Sequence, residues 1–368
     1  MSAILLLLVV IVLGGVAASG CTRTAAQPKG WSGGTISNDT LFLGSMEGKL
    51  VALDTSGGAR LWEATLESAK PARGGFGCVP TTTTVAIYGS PAIDGDLVYV
   101  GGYDGKIRAF NSNSGALRWV YPREGNLQPI VGGLAIALGK VYFGCSDGKL
   151  YALDAATGDR EWEFETGDKI WSTAVVDGDT VYIGSFDKKL YALNAEDGSK
   201  QWEFETEGSI ASTPLVYNHK VYIGSLDRCF YALAIIDGRL IWKSAVEAGN
   251  WFWASPVAFN SLIYAPCLDG KVYALDAESG DKVAELDLGS SISSSPVLVD
   301  SLIVIASEVG KIYTIDTSSN VKNLLTDLEA KVYASLCSDD RVVYIHAEKD
   351  AFYAVDTQTG TTREFNIK

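Results

Sequence analysis

Apolar and polar residues alternate at period two along most of the chain, in short runs separated by turn-forming residues. Lys149-Leu150-Tyr151-Ala152-Leu153 and Thr180-Val181-Tyr182-Ile183 are representative, with β-branched and aromatic residues on alternate positions. That is the pattern of half-buried strands. Turn residues punctuate the runs in a fixed order. Asp94-Gly95-Asp96 and Asp177-Gly178-Asp179 separate the first strand of a set from the second. Asp104-Gly105 and Asp147-Gly148 separate the second from the third, and Thr157-Gly158 the third from the fourth. These are tight hairpin signals, so each set predicts four short antiparallel strands and leaves no room for a helix.

The set recurs. Val141–Thr166 and Val181–Thr206 are near copies, and the residue ending the third strand marks eight of them: Asp54, Asn111, Asp154, Asn194, Ala234, Asp276, Asp316 and Asp356. The steps are 57, 43, 40, 40, 42, 40 and 40 residues. A period in that range means repeated supersecondary units, and four-stranded sheets repeated about an axis make a propeller. The prediction is an all-β, eight-bladed β-propeller of four-stranded antiparallel blades over residues 31–368. A seven-bladed ring with one degenerate copy is the alternative, because the last three copies lose a tryptophan found in the first five.

That tryptophan belongs to Ala152-x-Asp154-x-x-Thr157-Gly158-x-x-x-Trp162, with Trp62, Trp119, Trp202 and Trp242 at the same place in other copies. Counting alone puts Ala284, Leu324 and Glu364 there in copies six to eight. The motif resembles the tryptophan-docking repeat of pyrroloquinoline quinone (PQQ) enzymes and their non-enzymatic relatives. An indole is a broad apolar plate with one N–H donor, suited to wedging between blades, so a structural docking role is expected for all five. Enzymes of that class hold PQQ with a vicinal cysteine pair, a stacking Trp and a calcium ion bound by Glu, Asn and Asp. No Cys-Cys pair occurs in this chain, and no such ligand set carries over residue by residue.

A second position is not explained by strand packing. Eleven residues before the second-strand aromatic stand Trp31, Tyr88, Val131, Trp171, Ala211, Trp253, Ser293 and Tyr333. It precedes the innermost strand, which places it at the mouth of the central channel. Trp31, Tyr88, Trp171, Trp253 and Tyr333 are therefore candidates for a rim that binds an extended peptide or a flat ligand; plugging the channel against water is the structural alternative. The one sizeable insertion, within residues 63–84, carries Lys70, Arg73 and Phe76 and is a candidate binding loop on the same face.

The balance of 44 Asp plus Glu against 30 Lys plus Arg, a net charge of −14, argues against nucleic-acid partners. Five cysteines besides Cys21 include no C-x-x-C pair, and Cys145 and Cys267 stand where other copies carry Ser45, Ser185 and Ser225, which reads as free thiols. The two histidines, His219 and His346, lack metal-ligand neighbours, and no catalytic signature is present.

Residues 3–19 form an apolar run, and with Ala18-Ser19-Gly20 before Cys21 residues 1–20 resemble a bacterial lipoprotein signal with Cys21 as the lipidated residue; no Lys or Arg precedes the run, and an uncleaved membrane anchor is the alternative. Residues 21–30 read as a tether. Over residues 21–368 the chain resembles BamB-like propeller lipoproteins. The resemblance implies a non-enzymatic, monomeric, extracytoplasmic scaffold anchored at its N-terminus, without a cofactor, whose partners are envelope proteins or extended peptides. A PQQ-dependent oxidoreductase using calcium and a ligand-binding sensor module are the alternatives, since one scaffold hosts many functions.

Overall fold

The computed structural model describes residues 30–68 and 83–367. Eight four-stranded antiparallel sheets follow one another along the chain, each made of four consecutive strands. Blade 1 comprises Gly34–Ser37, Thr40–Gly44, Lys49–Asp54 and Arg60–Thr65. Blade 8 comprises Cys337–Asp339, Val342–Ala347, Ala351–Asp356 and Thr362–Asn366. The first strand of blade 1 neighbours the first strands of blades 2 and 8, so the first strands line the axis and the ring has eight blades, not seven. The sole helical element among the described residues is a 3-10 turn at Glu348–Asp350. No helix there is long and apolar enough to cross a membrane.

The alternation dictates the packing. Second and third strands are buried on both faces, as in Val181, Tyr182 and Ile183 against Leu193, Ala192 and Tyr191, while fourth strands keep a polar outer side. The buried side chains form eight hydrophobic clusters, and each lies between consecutive blades. The core is thus a circle of interfaces.

Indoles clamp five of these junctions. The Nε1–H groups of Trp62, Trp119, Trp162, Trp202 and Trp242 donate to the carbonyls of Ser112, Ala155, Ala195, Ile235 and Ala277, each in the next blade, over 2.8–3.2 Å. Each ring also lies against the glycine of the next third-to-fourth-strand turn. At Gly158, φ is +73° and a Cβ would sit 2.5 Å from the Trp119 ring, so both the backbone and the indole require glycine. The indole is aimed by a bulge: Ala192 pairs with Trp202, and the register then shifts so that Leu193 pairs with Lys200.

Ring closure uses other residues. Blade 8 lacks the register shift, so Ala354 pairs with Arg363, one residue before the Glu364 that counting suggests. Arg363 takes the indole's hydrogen bond, donating through Nη2 to the Thr55 carbonyl at 2.7 Å and through Nη1 to Ser56 at 2.5 Å. Phe365 takes the indole's plate: its ring lies where a Gly58 Cβ would be 2.6 Å away, and Arg363 stacks over it at 4.6 Å. Nearer the axis, His346 Nδ1 lies 2.8 Å from the Ser32 carbonyl and Nε2 lies 3.2 Å from Asp350 Oδ1. The same Asp350 oxygen accepts the Met46 amide at 2.6 Å. Both ring nitrogens thus face oxygens, one from blade 1 and one from the turn of blade 8, which ties the two blades together.

Candidate binding site at the channel mouth

The segment entering the inner strand alternates buried, half-buried, buried in seven blades; in blade 2 Gly89, after Tyr88, is itself half-buried. In blade 4, Ile170 and Ser172 are buried and Trp171 between them is half-buried, turned to the axis. The small hydroxyls stitch neighbouring blades together: Ser32 Oγ donates to the Gly89 carbonyl and Ser172 Oγ to the Ser212 carbonyl, at 3.0 and 2.9 Å. With both flanking positions committed to packing, the intervening one faces the mouth of the channel.

All eight of these intervening residues line one cavity of about 440 Å³. The aromatic members form two groups. Trp31 meets Tyr88 edge-on at 4.9 Å and Tyr333 at 5.5 Å, and Tyr88 contacts Tyr103 at 5.5 Å. Trp171 meets Trp253 at 6.4 Å, reaching over the blade that carries only Ala211. Trp171 is fixed by its Nε1–H, which donates to Ser146 Oγ at 3.0 Å, by Phe186 at 4.8 Å, and by the Lys169 ammonium over its face at 4.6 Å. Val131 and Ser293 leave gaps between these groups. The five aromatics nominated from the sequence therefore share one cavity, though in two groups rather than a continuous ring.

The loops joining second to third strands add Tyr103, Leu268 and Glu308 to the lining, and Trp251 joins from a linker. None of the four was singled out from the sequence. The position after Ser45, Gly102, Cys145, Ser185, Ser225, Cys267 and Ser307 holds Met46, Tyr103, Ser146, Phe186, Leu226, Leu268 and Glu308, and aligning it would have found three of them. Glu308 is the one charged residue of the lining among the described residues. Burial pushes its carboxyl above the usual carboxylate range. Burial likewise pushes the Tyr88 phenol up to about 12 and raises that of Tyr333, so both are neutral hydroxyls at physiological pH.

The insertion leaves and returns on this face. Glu67–Ser68 pair with Thr83–Thr84, the Leu66 amide donates to the Gly48 carbonyl, and the Tyr103 amide donates to Ala86. Arg108, buried and paired to Asp104 at 2.6 Å, holds the Glu67 carbonyl at 3.3 Å. Lys70, Arg73 and Phe76 lie outside the described residues, as do residues 1–20, Cys21 and the tether to residue 29. Cys145, Cys229, Cys267 and Cys337 are free thiols. Cys145 and Cys267 donate through Sγ to the Gln128 and Asn250 carbonyls, as Ser185 and Ser225 do to Asp168 and Gly208, and burial pushes both thiols up to about 12.

The lining does not fit calcium-held PQQ. Calcium takes about 6–8 oxygen ligands with several carboxylates or carbonyls turned inward, whereas this lining offers one carboxylate among hydroxyls and rings. Among the described residues no group of three or more His, Cys, Asp and Glu side chains is placed to hold a metal. The arrangement is suited to non-covalent binding: a cavity within the usual size range for ligand sites, with rigid aromatic walls and few polar groups.

A family model described as "Beta-alanine-activating enzyme, beta-propeller" matches residues 134–368, and one described as "Outer membrane protein assembly factor BamB" matches residues 17–169. No curated protein matches in sequence. Among solved structures, BamB from Moraxella catarrhalis is similar, with a TM-score of 0.73 and 18% identity over 87% of this chain and 95% of that one. The computationally designed Ika8 protein is also similar, with a TM-score of 0.72 and 17% identity over 92% of this chain and 96% of that one. The first match spans more than half of the chain, and the repeat and the ring agree with both: the chain belongs to the β-propeller family of the beta-alanine-activating enzyme type, and is a PQQ-like-repeat, BamB-like propeller.

Proposed function

We propose that this protein is a non-enzymatic binding scaffold, anchored outside the cytoplasm through a lipidated Cys21, that holds other envelope proteins or extended peptides against the mouth of its channel. The observation carrying this reading is the gathering of five half-buried aromatics, from blades 1, 2, 4, 6 and 8, around one cavity. Large aromatics on a rigid frame lose little entropy on binding and dominate interface energetics, each costing about 2 kcal/mol or more when truncated at a hot spot. The insertion with Lys70, Arg73 and Phe76 starts and ends beside Tyr103, which suits it to flank the same partner. Likeness to BamB supports a role in outer-membrane protein assembly as the specific setting.

The test is a cross-linking pull-down from native envelope with the full-length chain. The double variant Trp171→Ala/Trp253→Ala should lose its partner about tenfold or more, while Leu61→Ala on the exposed outer strand, 53% accessible, should not. Equal capture by both variants would refute the rim. Saturable PQQ binding with calcium-dependent dye reduction would overturn the non-enzymatic reading.

A further inference from the structure

The cavity beneath the rim has a charge character of its own. Seven aromatic residues line it, and its other polar groups are hydroxyls, apart from Glu308. Glu308 is half-buried and makes no ion pair within salt-bridge distance among the described residues, whereas Glu163 and Glu203, on exposed fourth strands, are each paired to a lysine. Its backbone is fixed on both sides. The Glu308 amide donates to the Ser291 carbonyl at 2.8 Å, and its carbonyl accepts the Val332 amide at 3.3 Å, next to Tyr333. Glu308 thus sits in the lining next to Tyr333, whose phenol it bears on electrostatically.

Two further observations point to an occupant. The Ser293 hydroxyl is buried in the same lining and has no hydrogen-bond partner. It lies close enough to Glu308 to weigh on the carboxyl, yet outside good hydrogen-bond geometry with it. Buried hydroxyls without partners are uncommon and call for a ligand or water. Lys331 is exposed and lies outside the lining; its charge favours the Glu308 carboxylate, and it bears on the Tyr333 phenol through both charge and a hydrogen bond. Glu348, which also bears on Tyr333, adds negative potential.

Aromatic faces with a partly desolvated carboxylate select organic cations over anions and over neutral molecules of the same shape. We infer that the channel mouth binds an alkylammonium group, with the rings of Trp31, Tyr88 and Tyr333 around it and the Glu308 carboxylate as its counter-charge. The inference rests on the mouth being a binding site, but it needs no protein partner and is tested without one. The ammonium comes either from a lysine side chain of a bound chain or from a free amine, and the two sources share this chemistry.

The experiment is a calorimetric titration of the full-length chain in a non-ionic detergent. The probes are choline, its neutral isostere 3,3-dimethylbutanol, and N-acetyl-lysine methylamide. Choline or the lysine derivative should bind saturably and about tenfold or more tighter than the neutral isostere. The preferred probe identifies the source. Glu308→Gln should remove that tenfold preference without changing the affinity for 3,3-dimethylbutanol. Tyr333→Leu, which keeps the carboxylate, should weaken the cation about threefold to tenfold. Equal binding of choline and its isostere, an unchanged preference in a folded Glu308→Gln protein, or no binding by either cation would overturn the inference. Failure here with a partner still lost on Trp171→Ala/Trp253→Ala would leave the scaffold reading standing; the converse would leave the cation site.

Discussion

Replacing Phe365 by alanine should open the ring at one place. Phe365 is 3% exposed, packs with Leu41, Leu53 and Phe352 between blades 8 and 1, and covers Gly58. Truncating a buried phenylalanine costs about 3–5 kcal/mol in lost transfer energy and residual cavity. Losing the stacked Arg363 guanidinium adds about 0.5–1 kcal/mol, at the low end because that side chain is exposed. A domain is stable by about 5–15 kcal/mol, so the chain should still fold. What changes is where it opens. The junction of blades 8 and 1 is the one that the chain does not cross, and all its strength comes from side chains such as Phe365, Arg363, His346 and Asp350. Native-state hydrogen exchange should therefore show protection falling by about 3–5 kcal/mol in Lys49–Asp54 and Ala351–Asp356, and by much less in Lys189–Asn194 of blade 4. Trp162→Ala, at a junction bridged by the chain, should have its effect centred on blades 3 and 4. A uniform loss across all blades in Phe365→Ala, or a loss under about 1 kcal/mol at the 8–1 junction, would refute this account of closure.

The remaining expectations concern buried polar groups. Asp350→Ala leaves His346 Nε2 and the Met46 amide without their acceptor and should cost about 2–4 kcal/mol by chemical denaturation. The double change Cys145→Ser/Cys267→Ser should stay within about 1 kcal/mol of the parent, because serine already makes the same bond in blades 4 and 5. In the parent, those two thiols should resist alkylation at neutral pH until the protein unfolds, a property followed by mass spectrometry.

The blades were legible because the information is local and repeated. Period-two alternation sets the strands, Asp-Gly and Thr-Gly set the turns, and a period of forty or so residues sets the ring. Likewise, the channel-mouth position was legible because one residue per copy escapes the packing pattern. Closure was not legible. In blade 8 the missing bulge moves the register by one residue, so counting from Gly360 leads to Glu364 while the pairing sets Arg363 opposite Ala354. The division of the indole's task between Arg363 and Phe365 exists only in three dimensions. The His346–Asp350 contact was hidden for a related reason: it spans a turn in which Lys349 and Asp350 take φ of +64° and +56°, values that neither residue type announces. Glu308 escaped notice because acidic residues fill the turns throughout, and only burial separates it from the rest.

The central claim is that partners bind at the aromatic mouth. The most direct measurement places a photo-crosslinking residue at Ala211, between Trp171 and Trp253, in the full-length protein in its native envelope. The account predicts a discrete protein adduct that disappears with Trp171→Ala/Trp253→Ala and is absent when the same probe replaces Leu61 on the outer strand. No adduct from Ala211, or equal adducts from both positions, would contradict it.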